Sequence, residues 1–129
     1  MRVAKGNTSG SASAKGGDNF TGEVFIDSVF PAAEGVMISS VFFAPGSRTH
    51  WHSHENGQIL MVARGRGLVV NREGDSVEIT AGDVVHAGPG EVHWHGGSRE
   101  SFMIHTAVSL GNTSWFGEVS NDDYLKESK

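Results

Sequence analysis

The sequence predicts an all-β fold in one domain, and three features of the 129-residue chain support this. The 18 glycines are spread along the chain, a pattern typical of short strands joined by tight turns. β-Branched and aromatic segments recur between those turns. A chain of this length has room for a single core, so we expect either a β-sandwich or a β-barrel.

The N-terminal segment differs in composition from the rest of the chain. It is rich in Gly, Ser, Ala and Lys and has few side chains to bury. We therefore predict a flexible N-terminal arm over residues 1–19 and a folded domain over residues 20–129. Disorder is the preferred interpretation for residues 7–17, although the end of the arm could pair with a neighbouring subunit.

Strand signals begin at Phe20 and recur at short spacing to the C-terminal region. The glycine-rich segment 64–67 is interpreted as a turn between two of these strands. About ten short antiparallel strands are typical of a sandwich or barrel. The predicted strands cover residues 23–26, 35–44, 49–54, 58–63, 67–71, 76–79, 83–86, 91–95, 102–108 and 114–119.

One helix is predicted, over residues 121–127. Asn121 can cap its N-terminus, and Asp122 and Asp123 lie in its first turn, where the helix dipole favours negative charge.

Composition excludes several classes of function. The chain has no cysteine, so disulfides, thiolate metal sites and cysteine nucleophiles are ruled out. The net charge of −5 and the scattered basic residues argue against a nucleic-acid partner. We find no apolar run long enough to span a membrane and no signal-peptide core after Met1. We expect a cytoplasmic protein that acts on a small molecule.

Histidines on two predicted strands indicate a metal site. His52 and His54 are two residues apart, so in a strand both imidazoles project from one face and can chelate a divalent first-row metal. Gln58 begins the next strand, and His93 follows a Gly-Pro-Gly turn. We predict one divalent ion per chain, held by His52, His54, Gln58 and His93. Alternatively, Gln58 only hydrogen-bonds a neighbouring histidine.

The neutrality of this ligand set has a chemical consequence. Nitrogen and neutral oxygen ligands suit Mn, Fe, Co, Ni or Zn. Because no carboxylate cancels part of its charge, the ion would be a strongly polarising Lewis acid.

Two further histidines are candidates for proton transfer. His95 lies two residues after His93 and shares its inward face, so it is either a structural residue or a general base with a pKa close to neutrality. His105 shares a strand face with Met103 and Ala107. It is either a base or substrate hydrogen-bonder, or a buried structural histidine.

Other conspicuous side chains are given no chemical role. Trp51 and Trp94 alternate with the proposed ligands, so they should point away from the metal and pack against a neighbouring strand or subunit. Arg48, Arg64 and Arg66 are expected in turns and on the surface.

Two stretches of this sequence resemble the motifs of the cupin superfamily. The first motif is matched by Gly46, His52, His54, Gln58 and Gly65, with Gln58 standing where many cupins have Glu. The second motif is matched by residues 82–90 with His93. The resemblance covers about residues 35–110 and implies a cupin barrel, also called a double-stranded β-helix or jelly roll.

A narrower resemblance, to the small bacterial manganese-dependent cupin hydroxynitrile lyases, runs from about residue 20 to the C-terminus. In that family two histidines, a glutamine and a third histidine bind the metal, and the four residues proposed above match them. The family's further active-site histidines match His95 and His105. The matching segments are Phe20-Thr21-Gly22-Glu23-Val24, Pro45-Gly46-Ser47-Arg48-Thr49 and His93-Trp94-His95-Gly96.

The narrower resemblance implies a lyase that cleaves or forms cyanohydrins. Mn(II) is the favoured ion, with Fe(II), Ni(II) or Zn(II) as alternatives. His95 would act as the base, and His105 would orient the substrate or handle cyanide. The broader cupin resemblance implies a homodimer or homotetramer, and we expect the strand-like segment 20–26 to cross between subunits. Strand alternation and the resemblance together place Ser39, Val41, Phe43 and Ser109 in the substrate pocket.

Two other functions stay open at this point. One is an Fe(II)- or Mn(II)-dependent dioxygenase acting on an enol or diketone, which a three-histidine site could support. The other is non-catalytic binding of a metal or small ligand, since fold does not determine function.

Overall fold

A computed structural model describes residues 1–5 and 12–129 as twelve β-strands and one short helix. The all-β prediction is confirmed, and the predicted helix forms over its whole length. The elements are β1 (Ala14–Lys15), β2 (Phe20–Thr21), β3 (Val24–Ala33), β4 (Val36–Phe43), β5 (Arg48–Thr49), β6 (Trp51–His54), β7 (Gln58–Asn71), β8 (Ser76–Thr80), β9 (Val84–Ala87), β10 (His93–Gly97), β11 (Met103–Leu110), β12 (Thr113–Gly117) and α1 (Asn121–Glu127).

All strand pairs are antiparallel, and they form one curled sheet in the order β1-β3-β4-β11-β7-β10-β5-β2. The long strand β7 joins its two halves. The first part of β7 pairs with β11 and β9, and the second part pairs with β10 and β8. Strand β6 pairs with β10 and β12. This connection brings the histidines of β6 and β10 together across one ladder.

The predicted turn at residues 64–67 is wrong, because β7 continues through it. A Cβ atom at Gly65 would lie 2.0 Å from the Phe102 carbonyl oxygen, and one at Gly67 would lie 2.0 Å from the Gly96 carbonyl oxygen. Gly65 also has a φ of 74°, and the register with β11 shifts beside it. The glycines therefore allow a bend and close strand approach within β7, and not a chain reversal.

Part of the predicted N-terminal arm, residues 6–11, lies outside the residues that the structure describes. Within the arm, Ala14 pairs with Ile26, so β1 adds a short strand to the edge of β3. The flexibility of the arm stays a prediction. Among the described residues, no helix combines the length and the apolar character needed to cross a bilayer.

In the part of the chain that the structure describes, two apolar clusters form the core. One lies inside the curled sheet, and the other lies between β10 and the C-terminal segment. As predicted, Trp94 points away from the face that carries His93, and it is buried in the second cluster. The inner cluster contains Val24, Val41, Phe43, Val62, Ile79 and Met103, and the outer cluster contains Leu68, Val70, Trp94, Val119 and Tyr124.

Helix α1 begins at the predicted residue, but its cap differs from the prediction. The hydroxyl of Ser120, and not the amide of Asn121, accepts a hydrogen bond from the backbone N–H of Asp123 at 3.1 Å. Asn121 instead accepts from the Arg48 guanidinium at 2.8 Å. The cap prediction is therefore wrong by one residue, because a tertiary contact engages the asparagine.

Arg48 is buried, which corrects its predicted surface location. Its guanidinium donates to the Val119 carbonyl at 2.8 Å and lies 4.6 Å from the centroid of the Tyr124 ring. The segment after β12 folds back over the sheet and leaves a carbonyl and an aromatic face that a planar cation can contact together. Arg64 and Arg66 are exposed, as predicted.

Candidate metal centre

Strand pairing places the proposed ligands around one point. His52 of β6 lies directly opposite His93 of β10, and their ring centroids are 4.4 Å apart. The ring of His54 is 5.0 Å from that of His52 and 6.0 Å from that of His93. Gln58, the first residue of β7, places its Oε1 atom 3.0 Å from His93 Nε2. All four side chains are buried.

Hydrogen bonds on the far side of each ring select its tautomer. His52 Nδ1 lies 2.9 Å from the His50 carbonyl oxygen, and His93 Nδ1 lies 2.9 Å from the Glu91 carbonyl oxygen. A carbonyl can only accept, so each Nδ1 carries the proton and each Nε2 presents a lone pair. His54 Nδ1 lies 3.0 Å from the Thr113 hydroxyl oxygen, which can accept from it in the same way.

The inward atoms of this cluster fit a cation. His93 Nε2 and Gln58 Oε1 face each other at 3.0 Å, and with the tautomer above both are acceptors. Within the described residues, the buried Nε2 atom of His54 has no hydrogen-bond partner. Facing lone pairs repel unless positive charge lies between them, and buried polar atoms normally have partners. A divalent ion would satisfy both requirements.

Burial keeps these rings neutral. It lowers the pKa of His52 to about 3, with a further contribution from neighbouring His93. It lowers the pKa of His54 to about 4, and it lowers the pKa of His93 as well. A neutral imidazole is the form that ligates a metal, so no proton has to be displaced from the inward nitrogens at neutral pH.

His95 lies beside the same centre. Ring nitrogens of His52, His93 and His95 are all within 4.8 Å of one another. This close grouping adds His95 to two of the predicted ligands. The sequence predicted that His95 would face the metal, but not that it would approach the ligand nitrogens so closely.

A hydrogen bond connects His95 to His105. His95 Nδ1 lies 3.0 Å from His105 Nε2, and one proton can be shared along that line. In the described part of the chain, His95 Nε2 and His105 Nδ1 are buried and have no hydrogen-bond partner. Burial lowers the pKa of His95 well below its usual value and that of His105 to about 4. The expectation of a near-neutral pKa for His95 is therefore wrong for the metal-free protein.

The four predicted pocket residues line one cavity together with the histidines. The Phe43 ring lies edge-on to the His95 ring, with their centroids 5.8 Å apart, and its centroid is 5.2 Å from that of the His105 ring. Sequence reasoning missed much of the remaining apolar wall, although the alternation of β3 and β4 would have indicated part of it. The predicted members are Ser39, Val41, Phe43 and Ser109, and the missed ones are Phe20, Ile26, Met37, Ala107 and Trp115.

Trp115 lies against the metal centre. Its ring centroid is 4.8 Å from that of His52 and 6.0 Å from that of Phe20. Pairing of β12 with β6, which sets Trp115 opposite His52, produces this contact. Such a pairing joins residues far apart in the sequence, so no local signal could have revealed it.

Comparisons with known proteins identify the family of this chain. The model of the cupin domain family matches residues 39–104, which hold all four proposed ligands. The chain belongs to the cupin family. This cupin is 43% identical over 123 residues to (R)-mandelonitrile lyase of Granulicella tundricola, covering 89% of this chain and 93% of that protein. The cupin resemblance of the sequence is thereby confirmed.

Solved structures show the same fold. A cupin-like protein from Thermotoga maritima superposes with a TM-score of 0.87 at 35% identity, over 92% of this cupin and 96% of that chain. A predicted oxalate decarboxylase, also from Thermotoga maritima, superposes with a TM-score of 0.71 at 22% identity, over 86% and 100%. At that lower identity the likeness concerns the fold only.

Proposed function

We propose that this cupin is a metal-dependent lyase of the hydroxynitrile lyase type, which cleaves a cyanohydrin to a carbonyl compound and hydrogen cyanide. One observation carries the proposal. The inward lone pairs of a neutral ligand set converge beside His95, whose buried Nε2 atom has no partner among the described residues. The similarity to a protein named (R)-mandelonitrile lyase supports this reaction and suggests an aromatic substrate.

The proposed metal site uses His52, His54, Gln58 and His93. Mn(II) is the ion we propose, since nitrogen and neutral oxygen donors suit it and the resemblance favours it. When bound, the ion would supply Lewis acidity toward a substrate oxygen, undiminished by any carboxylate.

His95 is the proposed catalytic base. Its Nε2 atom takes the proton of the cyanohydrin hydroxyl, the bond between the carbinol carbon and the nitrile carbon breaks, and the electron pair leaves on cyanide. The former hydroxyl oxygen becomes the carbonyl oxygen, and His95 returns the proton to cyanide. A depressed pKa suits this return, because the imidazolium gives up its proton readily.

His105 acts through His95 in this scheme. With the His95 Nδ1–H donating to His105 Nε2, the lone pair of His95 stays on Nε2 and faces the centre. His105 is proposed as a positioning residue and not as the group that receives the proton, because its Nε2 atom is already engaged by His95 Nδ1.

The cavity wall suits an aryl or alkyl substituent. Val41, Phe43 and Trp115 supply an apolar surface next to the histidines. Such a wall would bury the substituent by the hydrophobic effect and leave little room for competing water.

We also propose that this cupin is a homodimer or homotetramer. Strands β4 and β11 place Phe42, Ile104 and Val108 on the face opposite the cavity, where the Phe42 ring stacks on that of Phe102 at 5.8 Å. An apolar outer face of this kind is typical of a subunit interface. Light scattering of the purified protein measures the assembly, and a monomer at all concentrations would contradict the proposal.

The lyase proposal is tested with mandelonitrile. Manganese-loaded protein is expected to release benzaldehyde faster than the metal-free protein, and His95→Ala is expected to abolish the difference. His86→Ala is a matched control, because His86 is exposed on β9. No benzaldehyde above the spontaneous rate would count against the lyase, and oxygen uptake by the Fe(II) form with enols would favour a dioxygenase.

A further inference from the structure

We infer that Ser109 is a positioning residue for the metal: its hydroxyl oxygen holds the Gln58 amide with the oxygen turned toward the ligand cluster. The inference rests on the metal centre of the proposed function but not on the lyase reaction. It concerns the affinity for the ion, which can be measured without any substrate.

The two side chains are neighbours across one ladder. Ser109 of β11 pairs directly with Gln58 of β7. The Gln58 amide nitrogen donates to the Ser109 hydroxyl oxygen at 3.1 Å, and its amide oxygen lies 3.0 Å from His93 Nε2. Both Gln58 and Ser109 are buried, so water does not readily replace a lost partner.

A terminal amide can turn by half a rotation, and the two orientations suit different states of the site. In the opposite orientation, the NH2 group would face the His93 lone pair and donate to it, while the oxygen would accept from the Ser109 hydroxyl. That arrangement gives His93 Nε2, the Gln58 amide oxygen and the Ser109 hydroxyl a hydrogen-bond partner when no cation is present. The observed orientation faces the amide oxygen toward the His93 lone pair, which is favourable when a cation lies between them.

The hydroxyl of Ser109 can serve both orientations, since it can donate and accept. In the ligating orientation it is the acceptor that the amide NH2 group needs. Alanine at this position would leave that NH2 group buried without its acceptor whenever the oxygen binds the ion. The opposite orientation would lose only a donor to a carbonyl oxygen, so the substitution would penalise the metal-bound state more.

The expected effect is a loss of metal affinity. Removing a hydrogen-bond partner of a metal ligand typically costs about 10- to 100-fold in affinity. We therefore expect Ser109→Ala to bind Mn(II) about 10- to 100-fold more weakly. The spectrum of bound Mn(II) in electron paramagnetic resonance should change as well, because one ligand is less firmly held.

The experiment titrates metal-free protein with Mn(II) and measures free ion by electron paramagnetic resonance. Ser40→Ala is the matched control. Ser40 lies on β4 opposite Thr106, on the face away from the cavity, and its variant should bind as the original protein does. A double-mutant cycle with Gln58→Leu separates positioning from a general disturbance, since Ser109→Ala should cause no further loss once the amide is gone.

The outcomes are distinct. Undiminished Mn(II) affinity in Ser109→Ala, or an equal loss in the Gln58→Leu background, would overturn the inference. Failure of the original protein to bind Mn(II) would overturn it together with the metal centre. Tight binding without mandelonitrile cleavage would reject only the proposed reaction. Melting curves of the metal-free variants establish that each is folded.

Discussion

Replacing Arg48 by alanine tests how the C-terminal helix is attached to the barrel. The guanidinium donates to the Val119 carbonyl and to the Asn121 side chain, both at 2.8 Å, and to the Gly46 carbonyl at 3.1 Å. It also lies over the Tyr124 ring. The substitution removes all these contacts from a site that is nearly inaccessible to water.

The magnitude follows from the two shortest bonds. A hydrogen bond to a charged group contributes about 1.5–3 kcal/mol, so losing two costs at least about 3 kcal/mol. Burial of the guanidinium is itself unfavourable and lowers the pKa of Arg48. The substitution removes this desolvation penalty, which offsets part of the stability lost with the other contacts of Arg48. At about 4 °C per kcal/mol for a chain of this size, the melting temperature should fall by about 12 °C.

Urea denaturation of the metal-free protein, followed by circular dichroism, measures the free energy of unfolding. Arg48→Met separates packing from hydrogen bonding, because methionine keeps most of the apolar stem and should recover part of the loss. Arg64→Ala is the matched control at an exposed position of β7 and should change little. A loss below about 1 kcal/mol for Arg48→Ala would refute the reasoning, because it is less than one such hydrogen bond.

Three further predictions concern the metal centre. Thr113→Val should weaken Mn(II) binding about 10- to 100-fold in calorimetry, because valine cannot accept the hydrogen bond from the Nδ1–H of His54. The control Thr106→Val, on the outer face of β11, should leave the affinity unchanged. Equal Mn(II) affinities for the Thr113→Val variant and the original protein would contradict this prediction. The melting temperature of the metal-free protein should fall as the pH is lowered from 6.5 toward 4. Folding lowers the pKa of His52 to about 3 and that of His54 to about 4, so in this pH range these histidines take up protons mainly in the unfolded chain. A melting temperature that does not change with pH would count against this prediction. Mn(II) at about 100 times its dissociation constant should stabilise the protein by about 2.7 kcal/mol in melting curves, and an identical shift in His52→Ala would place the ion elsewhere.

The parts of the site that depend on local spacing could be predicted from the sequence. His52 and His54 alternate on one strand, so their shared face follows from strand geometry. The opposition of His52 and His93 depends on strand register, which involves distant segments and which local patterns do not reveal. The contact between His95 and His105 is of the same non-local kind.

The incorrect predictions have physical causes. Glycine at positions 65 and 67 gives the same local signal for a turn and for a strand that passes close to another backbone. Only the positions of Phe102 and Gly96 in the folded chain distinguish them. Likewise, the residues near Arg48 in the sequence do not indicate that its partner is the carbonyl of Val119, which lies 71 residues away along the chain.

The metal centre itself is tested most directly by a crystal structure of the manganese-loaded protein with anomalous scattering data. We predict one anomalous peak per chain, contacted by the Nε2 atoms of His52, His54 and His93 and by Oε1 of Gln58. No peak at that position in crystals grown with excess Mn(II), or a peak held by other side chains, would contradict it.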